Sequence, residues 1–173
     1  MNTSSFTPPI KLMIFDVDGI FTDGSLHVSE AGEIIKTFHT QDGMGITLLH
    51  KASIKTAIIS GRQSATLTYR ANELGLTHVF QGIEDKYKTF LELLSLTQCT
   101  PEECGYMGDD INDLPVLLRV GFSASTPDAH PEVINRVQHI TQKPGGRGAV
   151  REVCDLILKK QGQYDALLAA YLK

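Results

Sequence analysis

Two aspartates, Asp16 and Asp18, stand two residues apart in the stretch IFDVDGIFTDG, residues 14–24, at the end of an apolar run. Burying unpaired charge costs on the order of several kcal/mol per ion, so these acids must face something other than a packed core. Asp16, the backbone around Asp18, and Asp109 of GDDINDLP offer hard oxygen ligands of the kind Mg2+ prefers. With one carboxylate free to attack and the other poised two residues on, the pair can divide the work of nucleophile and acid/base. Ser60 and Gly61 of ISGR, with the backbone N–H groups that open the following helix, could hold phosphate oxygens, and Lys86 could add positive charge. A nucleophile, a divalent cation, donors for the equatorial oxygens and a proton source are what phosphoryl transfer requires.

Taken singly, most of these residues have plainer readings. A calcium loop of the EF-hand type needs an oxygen ligand at its fifth position and glycine at its sixth, where this chain has Ile20 and Phe21. Ser60 alone would serve as a helix N-cap. Lys86 alone would be a solvated lysine, with Lys88 as a rival for its role. GDDINDLP alone could be a capped turn. Their order along the chain and their common placement at strand ends favour a single site.

That placement comes from the elements between them. KLMIFD is a continuous apolar run, as in a strand covered on both faces. SLHVS and EIIKTFH read as a hairpin turning at EAGE. DGMGITLLHKA reads as a helix with Asp42 as N-cap, KTAIIS as a buried strand, and SATLTYRANELG as a helix ended by Gly75. HVFQG, CGYMGDD and GFSAS read as further strands. DKYKTFLELLSLT, NDLPVLLRV, PEVINRV and AVREVCDLILKKQG read as helices, with QYDALLAAYL as an added terminal one. Alternation of this kind predicts an α/β fold: a three-layer α/β/α, Rossmann-like parallel sheet with a protruding hairpin. Ligands of such sheets bind at the carboxyl ends of strands, where Asp16, Ser60, Asp109 and Lys86 fall.

The 173 residues suit one domain over 10–173 behind a disordered tail of residues 1–9. A net charge of -4 argues against nucleic-acid or anionic-membrane binding. Three cysteines without C-x-x-C spacing point to free thiols in a reducing compartment, hence the cytoplasm. The N-terminal apolar run stops at Asp16, too short for a signal peptide or a membrane span.

DVDGIFTDG, ISGR, DK and GDDINDLP, in that order, resemble the four motifs of the haloacid dehalogenase superfamily of phosphotransferases, over residues 11–160. More narrowly, DGIFTDG, FHTQDGMGI, ISGRQS, RANELG and GGRGAVREV resemble the family of 3-deoxy-octulosonate 8-phosphate phosphatases. The resemblance implies that Asp16 is a nucleophile forming an aspartyl-phosphate and that Asp18 protonates the leaving sugar oxygen, then activates water. It implies Mg2+ held by Asp16, the carbonyl of Asp18 and Asp109, and the transferring phosphate held by Ser60 and Lys86. Asp110 and Asp113 would support the metal and Lys86, or serve as simple caps.

Many superfamily members carry a cap domain between these motifs. Here the hairpin and helices fill the intervals between Asp16, Ser60 and Lys86, so no cap domain is expected. The resemblance implies a homotetramer instead, in which the hairpin at 25–39 borders a neighbour's active site; Ile34, Ile35 and Phe38 are its apolar candidates. The plainer reading is a surface flap. Arg62, directly after SG, suits a small phosphosugar acid substrate. Arg70 could assist, or could pair with Glu73. Arg147, in the loop QKPGGRGAV, could reach a substrate carboxylate, or the loop could be a mere linker. A nine-carbon sugar acid 9-phosphate remains an alternative substrate. A receiver domain, or a non-catalytic regulatory or oligomerisation module, remains an alternative role.

Overall fold

The computed structural model describes residues 6–30 and 34–173. In chain order the strands and α-helices are β1 (Leu12–Phe15), β2 (His27–Val28), β3 (Ile34–Ile35), α1 (Thr40–Lys51), β4 (Lys55–Ile59), α2 (Ala65–Glu73), β5 (His78–Phe80) and α3 (Lys86–Thr97). They continue as β6 (Cys104–Met107), α4 (Leu114–Leu117), β7 (Phe122–Ser125), α5 (Pro131–Ile134), β8 (His139–Ile140), α6 (Ala149–Lys160) and α7 (Tyr164–Ala169). Six strands form one parallel sheet in the order β5-β4-β1-β6-β7-β8. β2 and β3 pair antiparallel outside it, as the expected hairpin; its turn lies outside the described residues.

Strand periodicity divides the core in two. Met13 and Phe15 of β1 pack with Ile46 and Leu49 of α1 and Val153 and Ile157 of α6. Leu12 and Ile14 point the other way, into Phe90 and Leu93 of α3, Val116 of α4 and Val133 of α5. All four β1 side chains are therefore buried, each contributing about 1.5–3 kcal/mol. A strand covered on both faces has no polar side, which is why KLMIF shows no alternation.

Three local readings change. Asp42 lies inside α1, which starts after His39; its Oδ1 instead accepts the Arg151 N–H of α6 at 2.9 Å. Gly148 supplies no side-chain cap to α6, so a carboxylate from a different helix satisfies one of the amides left open there. β8 was not foreseen; two residues are too few for a periodic signal, and the strand exists through its pairing with β7. Of the tail expected at residues 1–9, residues 1–5 lie outside the described residues, and Phe6 packs against Phe122 with its ring tilted, 4.9 Å between ring centroids.

Candidate active site

β1 pairs with both β4 and β6, so after β5 the chain crosses β1 to reach β6. A cleft opens at such a crossover, beyond the carboxyl ends of the strands. Here it encloses about 300 Å3. β1 delivers Asp16 and Asp18 to it, β4 delivers Ser60, Gly61 and Arg62, the start of α3 delivers Lys86, and the turn after β6 delivers Asp109. Residues spread over most of the chain thus share one wall.

Lys86 is the buried centre of the cluster. Its Nζ lies 2.9 Å from Asp16 Oδ1 and 2.7 Å from Asp113 Oδ1. Its rival Lys88 is exposed. Burial alone would lower the Lys86 ammonium, but the charges of Asp16 and Asp113 outweigh it and hold the group above its ordinary value. Asp113 is fully buried and fully engaged. Oδ1 accepts from Lys86 and from the Tyr106 hydroxyl at 2.6 Å, and Oδ2 accepts from the Asp109 and Asp110 amides at 3.1 and 3.2 Å. With its acceptor capacity used, Asp113 shapes the loop and steadies Lys86. Asp110 caps the short turn at Ile111–Asp113, accepting the Ile111 N–H at 2.7 Å.

Asp16 and Asp109 are crowded instead. Burial, then the charge of Asp113, pushes Asp16 up to about 7 against the pull of Lys86. Burial, then Asp16 and Asp113, pushes Asp109 up to about 8. Carboxylate oxygens of Asp16, Asp109 and Asp113 lie within 4.8 Å of one another, and Asp109 Oδ1 is buried without a hydrogen-bond partner. Like charges held this close ask for a cation, and an orphaned carboxylate oxygen is where one fits. Asp16 and Asp109, backed by the fully engaged Asp113, are hard oxygen donors of the kind Mg2+ takes. Gly19 guards the geometry: its φ is +84°, and a Cβ there would stand 2.0 Å from Asp109 Oδ2.

Asp18 pairs with Lys36, the residue after β3, and lies 3.8 Å from Arg62 Nε. Lys36 was missed in the sequence. Its signal was available: alternation along EIIKTFH places a lone cation beside Ile35, and the structure exposes Ile35 while burying Lys36. Two expected residues stay apart from the cleft's lining. Arg70 crosses Gly43 of α1 and pairs with Glu73 at 2.6 Å, the plainer of its two readings. Arg147 lies 3.7 Å from Asp23.

The pattern of the haloacid dehalogenase-like hydrolase family matches residues 78–153. The 3-deoxy-D-manno-octulosonate 8-phosphate phosphatase KdsC of Yersinia pestis is 47% identical over 156 residues, spanning 90% of this chain and 83% of that protein. The chain belongs to the 3-deoxy-D-manno-octulosonate 8-phosphate phosphatase family. Solved members of this phosphatase family agree in fold. The Moraxella catarrhalis enzyme, in complex with magnesium, phosphate and KDO, superposes with a TM-score of 0.91 at 42% identity, covering 94% of this chain and 93% of that one. The cobalt-bound Haemophilus influenzae phosphatase superposes with a TM-score of 0.90 at 41% identity, covering 95% and 97%.

Proposed function

We propose that this chain hydrolyses 3-deoxy-D-manno-octulosonate 8-phosphate to the free sugar acid and phosphate, as a Mg2+-dependent step in lipopolysaccharide precursor synthesis. The observation that carries the proposal is the buried Asp16–Lys86 pair, with the unpartnered Asp109 oxygen in the same cluster, at the floor of the cleft. In this reading Asp16 attacks phosphorus and the ester oxygen leaves with a proton from Asp18. Asp18 then takes a proton from water as it hydrolyses the aspartyl-phosphate. Lys86 lessens repulsion between the attacking anion and the phosphate. Mg2+ held by Asp16, the Asp18 carbonyl and Asp109 would supply further positive charge at the phosphate. Ser60 and the Gly61 backbone hold phosphate oxygens. Arg62, half exposed at the rim, receives the sugar-acid carboxylate, and Arg147 of the glycine loop joins it by leaving Asp23.

Lys36 and Arg62 hold the Asp18 carboxyl in place at the cleft, as a group that must meet first the ester oxygen and then water requires. A receiver domain would not need this second acid. Side-by-side turnover of the eight-carbon 8-phosphate and a nine-carbon sugar acid 9-phosphate tests the substrate. Preference for the eight-carbon ester is expected; preference for the other transfers the same chemistry to a different pathway. The three free cysteines suit a reducing cytoplasm, which cell fractionation checks.

With no cap domain among the described residues, the site is completed by assembly: a homotetramer in which the hairpin borders a neighbour's cleft. Exposed Leu26, Val28 and Ile35 support this reading, since apolar side chains grouped on a protrusion favour burial. Phe38 packs on its own subunit's core, and the side chain of Ile34 lies outside the described residues. Val28→Asp combined with Ile35→Asp is expected to shift the mass in light scattering from tetramer to monomer or dimer. An unchanged tetramer removes the hairpin from the interface.

A further inference from the structure

The loop between β8 and α6 contains a carboxylate arrangement that the phosphatase chemistry does not use. Glu152, in the first turn of α6 and outside the cleft, accepts two successive loop amides: Gln142 N–H on Oε1 at 2.9 Å and Lys143 N–H on Oε2 at 3.2 Å. Beyond the loop, in the first turn of α6, Asp42 holds the Arg151 amide. Thr141 Oγ1 closes the near end by donating to the Lys143 carbonyl at 2.7 Å. The strap at 142–148 is thereby held at its start by Glu152 and Thr141, while Asp42 fixes the first turn of the helix into which it runs.

The middle of this strap lies on the turn that follows Asp18. Gly146 N–H donates to the Ile20 carbonyl at 3.0 Å. A Cβ at Gly145 would stand 1.9 Å from the Gly19 carbonyl oxygen, and one at Gly146 would stand 2.6 Å from the Asp23 nitrogen. Gly19 in turn lies against Asp109. An unbroken run of contacts therefore joins Glu152 to the strap, the strap to the 19–23 turn, and that turn to both Asp18 and Asp109.

We propose that Glu152 is a positioning residue for the reaction: by pinning the 142–148 strap it keeps the 19–23 turn, and through it Asp18 and Asp109, in working register. The inference rests on reading Asp16, Asp18 and Asp109 as the phosphatase centre. A carboxylate in the first turn of a helix also stabilises that helix, but that role needs neither loop amide. Small displacements of reacting groups are costly in rate, so the effect belongs in turnover as well as in stability.

The test compares Glu152→Ala and Glu152→Gln with the full-length wild type. Three readouts are used: hydrogen–deuterium exchange of metal-free protein, kcat on p-nitrophenyl phosphate well below the melting temperature, and the Mg2+ concentration giving half-maximal rate. For Glu152→Ala, faster exchange is expected in both 142–148 and 17–24. Its kcat is expected to fall on the order of tenfold to a hundredfold, with a higher Mg2+ requirement. Glu152→Gln keeps one acceptor oxygen and should fall between, and it carries the test if the alanine variant does not fold. Faster exchange confined to 142–148, or a lower melting temperature with unchanged kcat and Mg2+ requirement, overturns the proposal. If the wild type hydrolyses no phosphomonoester, the phosphatase reading fails, while the exchange data still report whether Glu152 braces the 17–24 segment.

Discussion

Asp16→Asn is expected to reduce turnover of the octulosonate phosphate by at least about 10^4-fold, because loss of a covalent nucleophile removes the reaction path and leaves only binding and positioning. The same substitution should not unfold the protein. Asp16 is raised from its ordinary 3.8 to about 7, chiefly by burial, so its ionised form is disfavoured by the fold. Stability linked to this group is present at low pH and declines as pH rises through about 7. At pH 8 the metal-free Asn variant, carrying no charge there, should melt at or above the wild-type temperature. Lys86 keeps its contact with Asp113 at 2.7 Å. Inactivity joined to undiminished stability separates a reacting group from a structural one; near-normal activity removes Asp16 as nucleophile.

Lys86→Met reverses that pattern in stability and shares it in activity. The substitution conserves bulk but strands two carboxylates, Asp16 and Asp113, that now share one buried ammonium. Removing one partner of a buried ion pair costs about 3–5 kcal/mol, which for a chain of this size lowers the melting temperature by roughly 10 °C. Losing a preorganised positive charge beside the transferring phosphate should cost on the order of 10^2–10^3 in kcat. Calorimetry and steady-state rates on the purified variant measure both. A variant that melts normally and turns over normally would show that Asp113, Tyr106 and the loop amides hold the site without the lysine.

The sequence made the site legible because the chemistry sits at strand ends. β1 ends in Asp16, β4 ends beside Ser60, and the turn after β6 carries Asp109; reading the apolar runs placed the acids without any knowledge of side-chain contacts. What escaped were partners set by tertiary packing. Asp42 reads as a cap for its own helix, since nothing in HTQDGMGI reveals that α6 will bring the Arg151 amide to it. Arg70 lies within reach of Glu73 one turn on, and that local pair prevailed over the cleft. Lys36 looks like an ordinary strand cation, and becomes a partner of Asp18 only when the hairpin folds back against the 16–18 segment. β8 depends on β7 for its existence. Local pattern found the elements and their ends, while long-range contacts chose among equally plausible side-chain roles.

The most direct measurement is phosphate release from 3-deoxy-D-manno-octulosonate 8-phosphate with Mg2+, repeated after EDTA and again after Mg2+ is restored, beside a panel of other phosphosugars. A Mg2+-dependent octulosonate phosphatase gives rapid release from the octulosonate ester, its loss with chelation, its return with Mg2+, and much slower release from the panel. Release that persists undiminished in EDTA, or no release from the octulosonate ester under any metal condition, would contradict this function.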